Sequence, residues 1–190
     1  MLYLASKSPR RRELLEKLGV PFEVLEINID ETWNGKENPG DYVVRLALEK
    51  ARDGRNSVRE GDCVVAADTE VVLDNRVLGK PDDEEHAVRM LELLSGRTHH
   101  VLSAVAVIRD AEHWTLSTSS VSFKPITQEE RREYCRSGEP QDKAGAYAIQ
   151  GQAAAFITRL EGSFSGVMGL PLEETMELLR NVGINLKRTY

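Results

Sequence analysis

Cys63-Val-Val-Ala-Ala67 is an unbroken apolar run that stops on Asp68, and its reading decides the fold. Apolar residues without alternation predict a strand covered on both faces, the environment of a sheet layered between helices. Just beyond, Val71–Leu73, Asp74-Asn75 and Arg76–Leu78 predict a hairpin with a two-residue turn. Upstream, Pro39 opens a helix in which Tyr42, Val43, Leu46, Ala47 and Ala51 share one face. Asp30–Asn38 before it is polar, contains Gly35 and reads as a loop, and Pro21–Ile27 as a strand. At the start of the chain, Tyr3–Ala5 reads as a short buried strand that runs into Ser6-Lys-Ser-Pro-Arg10. Ser8 followed by Pro9 signals a helix start, continued by Leu14, Leu15 and Leu18 and closed by Gly19.

Downstream the pattern repeats. Asp82–Leu94 predicts an amphipathic helix stopped at Ser95-Gly96, and His99–Ile108 and Trp114–Phe123 predict paired strands. Thr127–Glu130 is a capping-box pattern for a helix ending by Gly138. Residues 140–151 are rich in Gly, Ala and Gln; Phe156–Leu160 reads as a strand and Pro171–Arg180 as the final helix. Strands alternating with helices predict an α/β fold. The 190 residues suit one domain, or two lobes sharing one sheet.

No apolar run approaches the roughly 20 residues of a membrane-spanning helix, and MLYLAS lacks the features of a signal peptide. Cys63 and Cys135 make no metal-type spacing and read as buried or idle thiols of a reducing compartment, so the cytoplasm is the expected location. A net charge of −6 argues against a general nucleic-acid binder. It leaves room for a small anionic ligand held by a few concentrated cations.

Arg10, Arg11 and Arg12 stand in the first turn of the first predicted helix, where the dipole disfavours cations. Three cations at that end point to an anion that collects arginines and free backbone amides, with Ser6 and Ser8 as further donors. A solvated charged face is the competing reading. Successive helical residues lie about 100° apart, so at least one of the three is structural.

Asp68 closes the predicted buried strand, and ligands gather at the carboxyl ends of strands in open α/β sheets. A carboxylate there can hold Mg²⁺ with substrate phosphates or deprotonate a water; a cap is the alternative. Glu31 lies in a polar loop, and Glu70 shares a face with Asp68 if the strand continues, which makes it an outside metal candidate. Lys50 falls on the second helix and Lys80 in Gly79-Lys80-Pro81, a tight loop suited to phosphate. Gly145–Gly151 can bring backbone close to a planar ligand, or form a simple turn. These residues describe a metal-assisted enzyme or binder for a phosphorylated small molecule, without naming the bond that is cut.

The same segments resemble the Maf family of nucleotide pyrophosphatases. The matching pieces are Leu4–Leu15, Asp30-Glu31, Leu46–Ala51, Ala67-Asp68-Thr69, Gly79-Lys80-Pro81, Ser95–His99, Ser137–Tyr147, Ile149-Gln-Gly151 and Val167–Pro171, in the expected order along almost the whole chain. The resemblance implies an elongated, twisted mixed sheet flanked by helices, with two lobes and a central cleft, similar to inosine triphosphate pyrophosphatases. It implies hydrolysis of a nucleoside triphosphate to the monophosphate and pyrophosphate, with Mg²⁺ or Mn²⁺, by a homodimer. By position, Ser6, Arg11, Lys50 and Lys80 would contact phosphates, while Glu31 and Asp68 would serve metal and water, with Asp68 as proton acceptor. Asp68, Glu31, Lys50 and Lys80 make the implied catalytic set.

Arg10, Thr69 and Gln150 agree with the family branch acting on pyrimidine nucleotides such as dTTP and UTP, where the N7-methyl-GTP branch has Trp, Gln and Glu. Two positions depart from the family: Glu70 replaces an apolar residue and Ala148 replaces Gly. The alternatives are a nucleotide-binding regulator of septation without turnover, and a pyrophosphatase for another modified nucleotide.

Overall fold

The Cys63–Leu73 segment forms one strand of 11 residues, longer than the apolar run alone predicts. The computed structural model describes residues 1–33 and 35–186; Asn34, inside the predicted Asp30–Asn38 loop, and residues 187–190 lie outside it. The order is β1 (Leu2–Ala5), α1 (Pro9–Glu16), β2 (Phe22–Leu25), α2 (Pro39–Arg55), β3 (Cys63–Leu73), β4 (Arg76–Val77) and α3 (Glu84–Leu94). Then come β5 (Thr98–Ile108), β6 (Glu112–Phe123), α4 (Gln128–Arg136), β7 (Ile157–Glu161), α5 (Phe164–Met168) and α6 (Leu172–Asn181). Single 3₁₀ turns at Ala144–Ala146 and Gln152–Phe156 shape the segment before β7.

Among the described residues the strands form one seven-stranded mixed sheet in the order β2-β1-β3-β5-β6-β7, with β4 also on β3. β2, β1 and β3 run parallel, whereas β3, β5, β6 and β7 alternate in direction. The period of two along β3 divides the core. Cys63, Val65, Ala67, Val71 and Leu73 face one cluster built with α1, α3, α4 and α6, while Val64 and Ala66 face α2 through Tyr42, Val43, Leu46, Ala47 and Ala51. Both faces are covered, hence the unalternating sequence. Gly54 lets α2 lie close: a Cβ there would come within 3.0 Å of Ala5 and Val64.

The helix starts follow the local chemistry of the sequence. Ser8 caps α1 by accepting from the Arg11 N–H, with Pro9 in its first turn. Thr127 and Glu130 form the reciprocal capping box of α4. One expectation needs correction. Asp68 does not end β3 but lies in its middle, because Asp68 and Glu70 are polar residues on an otherwise buried face and the strand continues to Leu73. The strand whose carboxyl end opens the cleft is β1.

Both cysteines are buried free thiols, and burial pushes each up to about 11. Among the described residues no helix is long and apolar enough to cross a membrane.

His99 is enclosed in the main core, 1% exposed, with Nε2 2.8 Å from the Tyr147 hydroxyl and its ring edge-on to Phe123. Burial lowers its pKa to about 4. Between about 6.5 and 4 the unfolded chain binds this proton and the folded chain does not, so His99 withdraws stability as pH falls through that window. At pH 4.5 the loss amounts to about 2.5 kcal/mol. His99→Gln should therefore gain on the wild type in urea midpoint between pH 7 and pH 4.5; a constant difference would place the acid lability elsewhere.

Candidate active site

The site arises from a break in strand pairing along one edge of β3. Val64 and Val65 pair with β1 on one side and β5 on the other, and Val72 pairs with β4 and β5. β1 and β4 therefore share an edge of β3 and leave the stretch between them unpaired. Because β1 stops at Ala5, the chain leaves the sheet at Ser6 and turns into α1 beside this gap. A cleft of about 520 Å³ fills it, lined by residues of the β1–α1 turn, the 27–31 coil, α2, β3, the Lys80 loop, residues 142–150 and 167–169.

The first turn of α1 supplies cations rather than amides. Pro9 has no N–H, the Arg11 N–H is taken by Ser8 Oγ and the Arg12 N–H by the Ser8 carbonyl, so one of the expected free amides remains, that of Arg10. Arg10 and Arg11 line the cleft, whereas Arg12 turns outward to pair with Glu16 at 3.1 Å. Arg11 is braced: its Nε donates to the Gly169 carbonyl at 2.9 Å and its Nη1 to Ser6 Oγ at 3.4 Å. Burial depresses the Arg11 pKa, with Asp68, Glu31 and Glu70 pulling it back up. Ser6 Oγ also accepts from the Ser8 N–H at 3.2 Å, so both its lone pairs are used and its proton is free to donate to a ligand oxygen.

The acidic half is organised by Lys50. This lysine is buried on α2, 2.6 Å from Asp68 Oδ1 and 2.7 Å from Glu31 Oε1, and Lys80 approaches Glu31 at 3.7 Å. Burial raises the Glu31 pKa, but the Lys50 bond and the charges of Lys50, Lys80 and Arg11 outweigh it and hold the carboxylate below its ordinary range. Asp68 Oδ2 is buried without a hydrogen-bond partner among the described residues. Glu70 lies on the same strand face with Oε2 equally unpartnered, and burial together with the Asp68 charge pushes its pKa up to about 8. Glu70 is thus a largely neutral carboxyl near pH 7.

No group of three or more Asp, Glu, His or Cys side chains is arranged to hold a metal among the described residues. Mg²⁺ does not require one: it is held by one or two carboxylates and completes its shell with water and substrate phosphates. Asp68, with its free buried oxygen, and the partly exposed Glu31 fit that donor set.

The third wall is the segment from Asp142 to Gln150. Gly145 donates to the Gly79 carbonyl at 2.8 Å, which ties this wall to the Lys80 loop. Glu139 holds its far end, accepting from the Gln152 N–H at 2.9 Å, the Ala153 N–H at 3.4 Å and the Tyr134 hydroxyl at 2.8 Å. A Cβ at Gly151 would come within 2.5 Å of the Glu139 carboxylate, so any larger residue there would displace that carboxylate from its present bonds.

All nine sequence-predicted residues line this one cleft: Ser6, Arg10, Arg11, Glu31, Lys50, Asp68, Thr69, Lys80 and Gln150. Thr69 faces away from Asp68 toward α5, as the period of two along β3 requires, and Gln150 is exposed. Sequence reasoning did not single out Lys143, Tyr147 or Gly169 in the lining, nor Glu139 behind it. Gly169 and Glu139 fall within matched segments, yet no spacing rule points to what they touch.

The mixed sheet and its helices share the fold of the Ham1 proteins. The Staphylococcus aureus Ham1 protein superposes with a TM-score of 0.55 at 12% identity, covering 95% of this chain and 98% of that one. A HAM1 protein from Coxiella burnetii gives a TM-score of 0.50 at 17% identity, with 95% and 98% covered. Within that fold the sequence is more specific. The family model for Maf-like proteins matches residues 1–182, and the chain belongs to the Maf family. A Methylococcus capsulatus protein named dTTP/UTP pyrophosphatase is 54% identical over 188 residues, 98% of this chain and 93% of the relative. An Alkalilimnicola ehrlichii protein of the same name is 50% identical, with 100% and 96% covered. A Xylella fastidiosa protein named nucleoside triphosphate pyrophosphatase is 51% identical, with 94% and 97% covered.

Glu139→Ala leaves the Tyr134 hydroxyl and two N–H groups without their acceptor. We expect a loss of about 1–3 kcal/mol, read as a lower urea midpoint at unchanged slope. An unshifted midpoint would mean that solvent satisfies these donors as well as Glu139 does.

Proposed function

We propose that this chain is a nucleoside triphosphate pyrophosphatase that hydrolyses dTTP and UTP to the monophosphate and pyrophosphate. One observation carries the reading: Asp68 presents a buried, unpartnered oxygen to a cleft whose other walls supply Arg10, Arg11, Lys50 and Lys80. A carboxylate facing concentrated cations suits in-line attack of water on a polyphosphate. The names of relatives about half identical along the full chain support the substrate.

In this reading Asp68 accepts the proton of a water whose oxygen attacks the α-phosphorus. The bond from that phosphorus to the oxygen bridging to the β-phosphorus breaks, and pyrophosphate leaves. Lys50 holds Asp68 in place through the 2.6 Å ion pair, because a charge drawn out of water needs its partner. Arg11, braced by Gly169 and Ser6, meets the phosphates as a preset fork, and Ser6 donates its free proton to a phosphate oxygen. Lys80, exposed on its loop, reaches the leaving pyrophosphate. Asp68 and Glu31 would hold Mg²⁺ or Mn²⁺; what that cation supplies when bound is neutralisation of charge on the phosphate oxygens. Arg10, Thr69 and Gln150 form the base-reading set in this proposal. A homodimer, implied by the family resemblance, and a cytoplasmic location, expected from the unpaired cysteines and the absence of a signal-peptide pattern, complete the reading.

The test is product analysis over a panel of nucleoside triphosphates with Mg²⁺ or Mn²⁺. We expect monophosphate and pyrophosphate from dTTP and UTP, and a fall in turnover of about 10²–10⁴-fold in Asp68→Asn. Folded protein that binds nucleotides without releasing pyrophosphate would instead be a binding regulator.

A further inference from the structure

We propose that Ser103 is a positioning residue that fixes the proton of the Thr69 hydroxyl, so that the cleft selects bases carrying a ring N–H. The inference rests on the pyrimidine-nucleotide reading above and deepens it.

Ser103 on β5 pairs directly with Thr69 on β3, and it is 1% exposed. Its hydroxyl donates to the Gly166 carbonyl in α5 at 2.6 Å and lies 2.9 Å from Thr69 Oγ1. A carbonyl can only accept, so the single Ser103 proton is committed to Gly166. The hydrogen between the two hydroxyls must then come from Thr69. With its proton turned to Ser103, Thr69 offers only lone pairs to the cleft that it lines.

The other base-reading candidates cannot impose this polarity. Gln150 is exposed and has no hydrogen-bond partner among the described residues, so either end of its amide can meet a ligand. Arg10 can only donate. Thymine and uracil nucleotides differ at C5, and dTTP and UTP also differ at the 2′ carbon. What they share is an N3–H between two carbonyls. A fixed acceptor pairs with that N–H but opposes the bare N3 of cytosine, and a site built around such a bond rejects the base that leaves it unmade.

The experiment is steady-state kcat/KM for UTP and CTP, with melting temperatures, in wild type, Ser103→Ala, Ser103→Thr and Thr69→Val. The wild type should prefer UTP by about 100-fold or more. Ser103→Ala frees the Thr69 proton to rotate and donate into the cleft. The preference should then fall by at least about tenfold, chiefly through a lower KM for CTP. Ser103→Thr keeps a hydroxyl in place and should keep the preference, which a merely structural role would not require. Thr69→Val should lower the preference through loss of UTP, and it decides the matter if Ser103→Ala does not fold. An unchanged preference in folded Ser103→Ala or in Thr69→Val overturns the inference, as does equal use of UTP and CTP by the wild type. A wild type that releases pyrophosphate from no nucleotide sinks the pyrophosphatase reading itself, and this inference with it.

Discussion

One ammonium group sets the layout of the cleft. Lys50 Nζ sits between Asp68 and Glu31 at 2.6 and 2.7 Å, and neither Lys50 nor Asp68, both buried, could be withdrawn from water alone at tolerable cost. Satisfying Lys50 fixes where α2 lies on β3, a placement that Gly54 makes sterically open. It also draws in the coil between β2 and α2, which the Tyr42 hydroxyl clamps through the Glu31 carbonyl at 2.7 Å. Glu70, on the same strand face, has no cation at bonding distance among the described residues, and burial together with the Asp68 charge pushes its pKa up to about 8. Two carboxyls of one face thus differ in their surroundings, because only one meets the lysine.

The chain is acidic overall, at −6, yet it gathers Arg10, Arg11, Lys50, Lys80 and Lys143 around a single cleft. Such focusing in a concave space raises the local attraction for an anion while the chain as a whole stays acidic. The arginines are disfavoured by the α1 dipole, and burial lowers the pKa of Arg10 and Arg11. A polyphosphate relieves both conditions at once.

The fold was legible where local chemistry agrees with the sheet. The Thr127–Glu130 box, Pro39 and the unalternating Cys63–Ala67 run each predicted an element that the structure contains. The extent of β3 was not legible, because the feature that keeps Asp68 inside a strand is Lys50, eighteen positions earlier and on another element. Arg12 could be separated from Arg10 and Arg11 only as one unspecified outlier of the three; Glu16, one helical turn on, is what draws it outward. The nine candidate residues converge because their segments border the gap between β1 and β4. That gap is a property of strand order, which no single segment of sequence displays. Hydroxyl polarity at Ser6 and Thr69 lies further out of reach, since it depends on which neighbour already occupies each lone pair.

The bond from Arg11 to the Gly169 carbonyl joins residues 158 positions apart. During synthesis the arginine emerges well before its anchor, which follows only after the last strand of the sheet has been made. A nascent or truncated chain ending before α5 therefore carries the guanidinium without the carbonyl that aims it. The aim of this guanidinium arrives late, as a property of the finished molecule, which half-made copies on the ribosome do not possess.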